Sequence, residues 1–462
     1  MRRTDYALLG LLLVVWLALG ALFAVRTPLW QAPDEPAHYN YVSQLVAGRW
    51  PVIEPSDWDQ AYLSEIVSAE FDPAFPTGRL TYEDWQPPLY YLLQAPVYGL
   101  TGGSLVAMRL LSVVLGAGVV ALAYFIGRAL FASPWAALAV AVFVALTPQH
   151  LAILASVNND SLAELIIAAI LALLVIPWPD RPPRKRLLNL GLLLGLAFLT
   201  KGTAYLMAGV AGVFLLARYW PGASGDRDRR VDSGMDRWRP VLSTLMITFI
   251  PALALGLLWW GRNVAVYGPW DLFGKAAHDA AVVGQPRTAE WIAQYGLAGT
   301  VGRFLRTTFI SFWGQFGWMA APLPGRVVGL LAVVTLVAAV GLLLAFRDAR
   351  RQTPGDGSLA TRHSSLVTRH SLHILVLGLT FLLTLALHVY YNLTFVQHQG
   401  RYLFPALIPI AVGFMAGLSY WLRPLVRRWP RSGYLLPLGL ALLLGGVSLY
   451  ALWRILPGLA PN

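Results

Sequence analysis

The chain has 462 residues, 57% of them hydrophobic and 13% charged, with a net charge of +12 and a mean hydropathy of +0.58. Soluble domains carry about 25% charged residues, so so apolar a chain is not a soluble globular protein, and with no cysteine it has no disulfides, thiolate metal sites or cysteine nucleophiles. The basic residues fall in short segments between apolar runs, a pattern that fits membrane topology and excludes a groove for nucleic acid.

The first element is an uncharged run from Tyr6 to Val25, behind Arg2 and Arg3. It is longer than a secretory h-region and no small-residue cleavage site follows, so it reads as an uncleaved first span. Later runs predict spans at 105–127, 135–152, 162–178, 187–199, 203–217, 241–260, 327–346, 372–391, 402–421 and 433–453. About 20 apolar residues suffice for a hydrocarbon layer of roughly 30 Å. The expected fold class is all-α: a polytopic helical membrane protein with 11 transmembrane helices in a single domain over 1–462.

Placing the N-terminus in the cytoplasm makes 1–5, 128–134, 179–186, 218–239, 347–371 and 422–432 the inner segments. They hold 22 of the 35 Lys and Arg residues, as the positive-inside rule requires. Runs 187–199 and 203–217 are short, about 20 Å each at 1.5 Å per residue. Joined into one helix they would set "RPPRKR" and "RDRR" on opposite sides, so a hairpin turned at "TKG" (200–202) is expected.

Two outer segments are long, 26–103 and 261–326. The first carries ten of the 23 acids: Asp34, Glu35, Glu54, Asp57, Asp59, Glu65, Glu70, Asp72, Glu83 and Asp84. Its many aromatics suit short helices lying on a membrane surface, and "PPLYYLLQAPVYGL" (87–100) reads as an interfacial or re-entrant helix. The inner segment 347–371 contains a seven-residue tandem repeat, "SLATRHS SLVTRHS", expected to be disordered.

A charge near membrane depth is a candidate for function. Lys201, in "LTKGTAY", reads either as a site cation or as a lysine snorkelling from a hairpin turn. Arg262, in "WWGRNVAVYG", is expected to open the second outer segment with Asn263. Arg401, in "HQGRYLFPA", starts a span on the outer side, where topology does not favour cations, with His398 and Tyr402 beside it. Arg109 enters the second span from outside and reads as structural. In "PDEPAH", Pro33 and Pro36 restrict the backbone around Asp34 and Glu35, with His38 following. An ionised aspartate there could take a proton from an attacking hydroxyl; equally, the pair could simply cap a helix starting at Pro36.

Four features occur in order: the Asp–Glu pair after the first span, "QPPLYYLL" from Gln86, "LTKG" between short spans, and "QGRYLFPA" before a late span. Together, over about residues 5–420, they resemble the C-type glycosyltransferase superfamily of polytopic membrane enzymes. The chain is similar to protein O-mannosyltransferases, aminoarabinose transferases and related bacterial membrane glycosyltransferases. The resemblance implies transfer of a sugar from a polyprenyl-phosphate donor to a glycan, lipid or protein acceptor in an outer-facing cavity of the cell membrane. It makes Asp34 the general base and Glu35, its neighbour, a second catalytic carboxylate. His38, Gln86, Lys201, Arg262, His398, Arg401 and Tyr402 become candidate substrate-binding residues, the cations meeting the lipid phosphate. Some members of the superfamily use a divalent metal, for which Asp34, Glu35 and His38 carry suitable ligand atoms. A transporter or lipid-linked sugar flippase, and a non-catalytic envelope assembly protein, are the alternatives; convergence of Asp34 with the outer cations favours the enzyme.

The charge count yields a direct test of topology. Single cysteines introduced at Ser56 and Ser224 are expected to label from opposite sides with an impermeant thiol reagent. Labelling of both from one side would overturn the arrangement.

Overall fold

The computed structural model describes residues 3–220, 238–351 and 360–461. In chain order the helices are α1 (Arg3–Arg26), α2 (Glu35–Val46), α3 (Gln60–Ser68), α4 (Leu89–Thr101), α5 (Leu105–Leu130), α6 (Pro134–Leu146), α7 (Pro148–Leu154), α8 (Asp160–Val175) and α9 (Arg184–Phe198). They continue as α10 (Leu206–Tyr219), α11 (Arg239–Tyr267), α12 (Lys275–Ala281), α13 (Thr288–Trp313), α14 (Gly325–Arg351), α15 (Ala360–Asn392), α16 (Leu407–Arg428) and α17 (Leu435–Tyr450). Between α13 and α14, β1 (Gln315–Phe316) and β2 (Ala321–Pro322) pair antiparallel.

The bundle is organised around α6. Every side chain from Ala136 to Leu146 is buried, as expected of a helix that is apolar on all sides. It packs against α1, α5, α16 and α17. The chain then bends by 62° at Thr147, because Pro148 has no N–H to continue the ladder and instead opens α7. The side of α1 facing α5 is fixed by Trp16, whose Nε1 donates to the Val113 carbonyl at 2.9 Å.

Small residues set the closest approaches, as is usual where helices meet in lipid. α14 and α16 touch at Ala338 and Gly417: a Cβ on Gly417 would lie 1.9 Å from the Ala338 carbonyl oxygen.

Among the described residues, eight helices are long and apolar enough to cross a membrane, and nine if the bent α6–α7 pair is one span. Eleven is reached only by adding α8 and α9, of 16 and 15 residues. The "TKG" turn does separate α9 from α10, with Lys201 between them.

Two boundaries differ from expectation. Arg262 and Asn263 do not open the second outer segment; they lie inside α11, which continues through "NVAVY" until Gly268, with φ 100°, ends it. The repeat-bearing segment 347–371 is helical at both ends, with α14 reaching Arg351 and α15 starting at Ala360. A seven-residue repeat spans nearly two helical turns and here contains no Pro or Gly, so helix formation is permitted; residues 352–359 lie outside those described.

The long segments 26–103 and 261–326 pack on each other. Ala37, Leu63, Ile66, Phe71, Leu80 and Tyr82 of the first enclose Val282 of the second in a small separate core. Trp58 Nε1 donates to the Val283 carbonyl at 2.8 Å. Tyr41 and Tyr91 stack at 3.7 Å between ring centroids, joining α2 to α4. These contacts hold the acidic first segment over the bundle.

Gly417→Ala is expected to lower stability by about 1–3 kcal/mol, the range for overpacking, read as a fall in the Tm of the detergent-purified protein. Gly439→Ala, where an added Cβ meets nothing within 4 Å, is expected to leave the Tm unchanged.

Candidate active site

Asp34 is the N-terminal flanking residue of α2, and its backbone is left-handed, with φ 66° and ψ −4°. That conformation costs a non-glycine residue about 1–2 kcal/mol. The side chain makes no capping hydrogen bond to α2, so the helix-cap role is not what it does. Instead Oδ1 accepts from the Tyr82 hydroxyl at 3.0 Å and Oδ2 accepts from Arg401 Nη2. Burial would raise the Asp34 pKa, but Arg401 and the Tyr82 hydrogen bond outweigh it and hold the carboxyl below its ordinary value.

Arg401 reaches Asp34 because of its neighbour. Gly400 starts a 3₁₀ turn, Gly400–Ala406, and its N–H donates to Ser311 Oγ on α13 at 2.7 Å. A Cβ at Gly400 would lie 2.3 Å from the backbone of Thr308 and Phe312. Glycine therefore lets the turn press onto α13, and the buried guanidinium that follows is directed at the segment 26–103.

Glu35 goes the other way. It is fully buried against Arg109 of α5, which donates from Nε to Oε1 at 2.8 Å and from Nη2 to Oε2 at 2.6 Å. The Val157 N–H adds a bond to Oε1 at 3.0 Å, while Arg109 Nη1 also donates to the carbonyls of Ala24 and Thr27. Glu35, expected as a second catalytic carboxylate, is an anchor joining α1, α2, α5 and the loop before α8. The left-handed turn at Asp34 sends the two adjacent side chains in different directions.

One turn along α2, His38 is buried and its Nδ1 lies 2.8 Å from the Tyr91 hydroxyl. Burial, followed by the nearby Lys201 cation, depresses its pKa to about 3, so the imidazole is neutral. Lys201 pairs with Asp160 at the start of α8, Nζ to Oδ1 at 2.5 Å. Gln86 Oε1 accepts from Asn159 at 3.4 Å, and the Gln86 carbonyl accepts from the Tyr41 hydroxyl at 3.0 Å. Tyr402 lies beside Arg401, its ring centroid 5.5 Å from the guanidinium carbon, with Tyr391 on the same side at 6.0 Å.

Lys201 and Arg401 thus act on one cluster: both bear electrostatically on His38, Glu83 and Asp160. Arg262 does not join them. It donates to the Pro51 carbonyl and to the Tyr267 hydroxyl, the latter at 3.1 Å, and its guanidinium stacks over Trp259. His398 is also elsewhere, buried edge-on between Trp291 at 5.2 Å and Phe304 at 5.4 Å.

Sequence reading missed Asp160 and the role of Glu83. Asp160 stands in "NND" at the mouth of an apolar run, the same signal that singled out Lys201 and Arg401. Glu83 was one of ten acids in one segment, with no mark of burial.

Three buried atoms at this junction have no partner among the described residues: Glu83 Oε2, Asn159 Oδ1 and Arg401 Nε. No three His, Cys, Asp or Glu side chains among the described residues gather as a metal set. The suggested trio is dispersed by Glu35 turning to Arg109 and His38 to Tyr91.

Residues 76–410 match the family described as "Predicted membrane protein (DUF2142)". The chain belongs to this family. The matched region includes Glu83, Gln86, Asp160, Lys201 and Arg401, and excludes Asp34. No curated protein matches in sequence.

Solved structures resemble it at low identity. The oligosaccharyltransferase of Archaeoglobus fulgidus in its apo form is 14% identical, covering 97% of this chain and 56% of that one, with a TM-score of 0.51. ArnT from Cupriavidus metallidurans, bound to undecaprenyl phosphate, is 14% identical over 99% of this chain and 74% of that one, with a TM-score of 0.48. The S. cerevisiae protein O-mannosyltransferase Pmt1–Pmt2 complex, bound to its sugar donor, is 20% identical over 58% of this chain, with a TM-score of 0.43. The chain spans about a third of the yeast protein's length and about half of the archaeal one's. The archaeal match carries the fold assignment: a C-type glycosyltransferase fold for this DUF2142 chain.

The two carboxylates of the acidic pair are expected to differ in thermal stability assays. Glu35→Gln leaves the Arg109 charge uncompensated in a dry site and is expected to cost about 3–5 kcal/mol, seen as loss of folded protein. Asp34→Asn relieves part of the left-handed strain, since Asn tolerates that region well, and its Tm is expected to fall less than that of Glu35→Gln.

Proposed function

We propose that this protein is a membrane glycosyltransferase that moves a sugar from a polyprenyl-phosphate-linked donor to a hydroxyl-bearing acceptor. The observation that carries this reading is the meeting of Asp34 with Arg401 across 367 positions, beside a second, half-buried pair, Lys201–Asp160. Two cations at the junction of outer segments and apolar bundle suit a lipid phosphate, and a carboxylate among them suits proton removal. The C-type glycosyltransferase fold supports the same chemistry, and solved proteins of this fold were captured with undecaprenyl phosphate or a sugar donor. The convergence favours transfer over a flippase or an assembly protein.

In this reading the phosphodiester takes hydrogen bonds from Lys201 and Arg401, including the unpartnered Arg401 Nε. Arg401 then shares itself between Asp34 and phosphate, which returns basicity to Asp34. The acceptor oxygen bonds to C1 as the C1–O bond to phosphate breaks, and its proton passes to Asp34. Neutral His38, held by Tyr91, and Gln86, held by Asn159, line the space beside the sugar. Attack opposite the leaving phosphate inverts the anomeric centre. The charge distribution supports a cytoplasmic N-terminus and a site on the outer face of a bacterial cell membrane.

Mass spectrometry of envelope glycans tests this. A deletion strain is expected to lack one glycosylated product, restored by wild-type protein. Asp34→Asn is expected to reduce turnover by about 10²–10⁴-fold, the range for a lost general base. Lys201→Met and Arg401→Met are expected to weaken donor binding. An unchanged glycan profile in the deletion strain would overturn the transferase reading.

A further inference from the structure

Glu83 belongs to the turn Thr81–Gln86, in which the Asp84 N–H donates to the Thr81 carbonyl at 3.0 Å and the Gln86 N–H to the Glu83 carbonyl at 2.9 Å. The residues around it in this turn face the site. Tyr82 bonds Asp34, and Gln86 bonds Asn159. Glu83 itself has a buried Oε2 with no partner among the described residues. The charged and titratable groups of other elements that interact with it electrostatically are Asp34, Lys201, Arg401, Tyr91, Tyr391 and Tyr402, with Tyr82 and Asp84 beside it in the chain. It is therefore a third carboxyl group in a cluster whose other two, Asp34 and Asp160, are each claimed by a cation.

We propose that Glu83 is a catalytic acid of the transferase, a neutral carboxyl group whose free Oε2 donates its proton to the phosphate oxygen that leaves the sugar. This rests on the reading of Lys201 and Arg401 as the donor-phosphate site. The step balances without any further reagent. The acceptor oxygen bonds to C1 and its proton passes to Asp34. The C1–O bond to phosphate breaks, its electron pair staying on the phosphate oxygen, which takes the Glu83 proton. The products are the glycosylated acceptor and a polyprenyl phosphate monoanion, leaving Asp34 protonated and Glu83 ionised. Transfer of one proton from Asp34 to Glu83 restores the start. Sites that use an acid and a base together push two carboxyl groups apart in proton affinity. Here burial, then the Asp34 charge, raise Glu83 to about 8, while Arg401 holds Asp34 low. A neutral Glu83 also spares the incoming phosphate a third repelling anion.

The test uses the full-length protein in detergent and undecaprenyl phosphoryl glucose, a phosphodiester whose charge is constant from pH 5 to 10. Binding is measured from pH 6 to 9.5. Wild type is expected to bind uniformly below pH 8 and to lose affinity by up to about tenfold per pH unit above it, the limit for one linked proton. Glu83→Gln is expected to remove that alkaline loss and retain binding. Asp84 also titrates near 8 through burial, but it is held by Gln44 at 2.7 Å and lies toward Asp57 and Arg262, so Asp84→Asn is expected to keep the loss. In the glycan assay Glu83→Gln is expected to lower turnover about 10²-fold or more. A pH-independent wild type, or an alkaline loss retained in Glu83→Gln, overturns the acid role while leaving the donor site intact. Absence of binding by wild type at every pH overturns the donor site itself. Were Glu83→Gln not to fold, the wild-type and Asp84→Asn curves would still decide: a loss abolished by Asp84→Asn refutes Glu83.

Discussion

A guanidinium buried among apolar helices must be met by a carboxylate, because an unpaired charge there costs more than a folded chain can spare. Two arginines impose this constraint, and two adjacent residues meet it. Glu35 compensates Arg109 of α5, and Asp34 compensates Arg401 before α16. The first pair is saturated on both sides, with Val157 and three α1-end carbonyls completing it. The second keeps a free Nε on Arg401. One closed pair and one open pair thus stand side by side.

The rest of the segments 26–103 and 261–326 holds these two pairs in place. Asp34 faces Arg401 only because its backbone is left-handed, and a residue so strained persists only where surroundings overdetermine it. Here they do: the Glu35 pair fixes one side, while Tyr82, set in the small core around Val282, fixes the other. From the far end of the chain, Gly400 fixes the approach of Arg401 by allowing its turn to lie on α13. The segments 26–103 and 261–326 are thus joined through Arg401, whose turn lies on α13, as well as through their own core.

Much of this was legible in the sequence, for identifiable reasons. Apolar runs announce helices in a membrane, and a cation beside such a run is conspicuous, so Lys201 and Arg401 stood out, as did the proline-framed Asp34. Which way a side chain turns was not legible. Arg262 and His398 sit in similar surroundings in the sequence, yet one closes on Pro51 and the other is lodged between Trp291 and Phe304. Glu35 differed from Asp34 by a single position and by nothing else visible. Acids are weakly constrained by topology, so ten in one segment looked alike; only folding shows that Glu83 is sheltered while Glu54 and Asp57 hold each other in an exposed turn. Helix length was the other blind spot. Charge counting asked for eleven spans, whereas length and composition support eight or nine, the difference lying in short helices at α8 and α9 and the bend at Thr147.

Charge accounting at the site explains why a third carboxyl group is tolerable there. Asp34 and Asp160 balance Arg401 and Lys201, so the ligand-free cluster is neutral if Glu83 keeps its proton. A phosphodiester adds one negative charge and shares cations that are already occupied. An ionised Glu83 would make that a site with four anions and two cations in a poorly solvated space, where each uncompensated charge is expensive. A protonated Glu83 leaves a deficit of one, which the spare Arg401 Nε and the partial solvation of the Lys201–Asp160 pair can absorb. In the proposed transfer, burial of Glu83 beside Asp34, which in a structural role would be a liability, is what would let an anionic lipid donor approach these carboxylates.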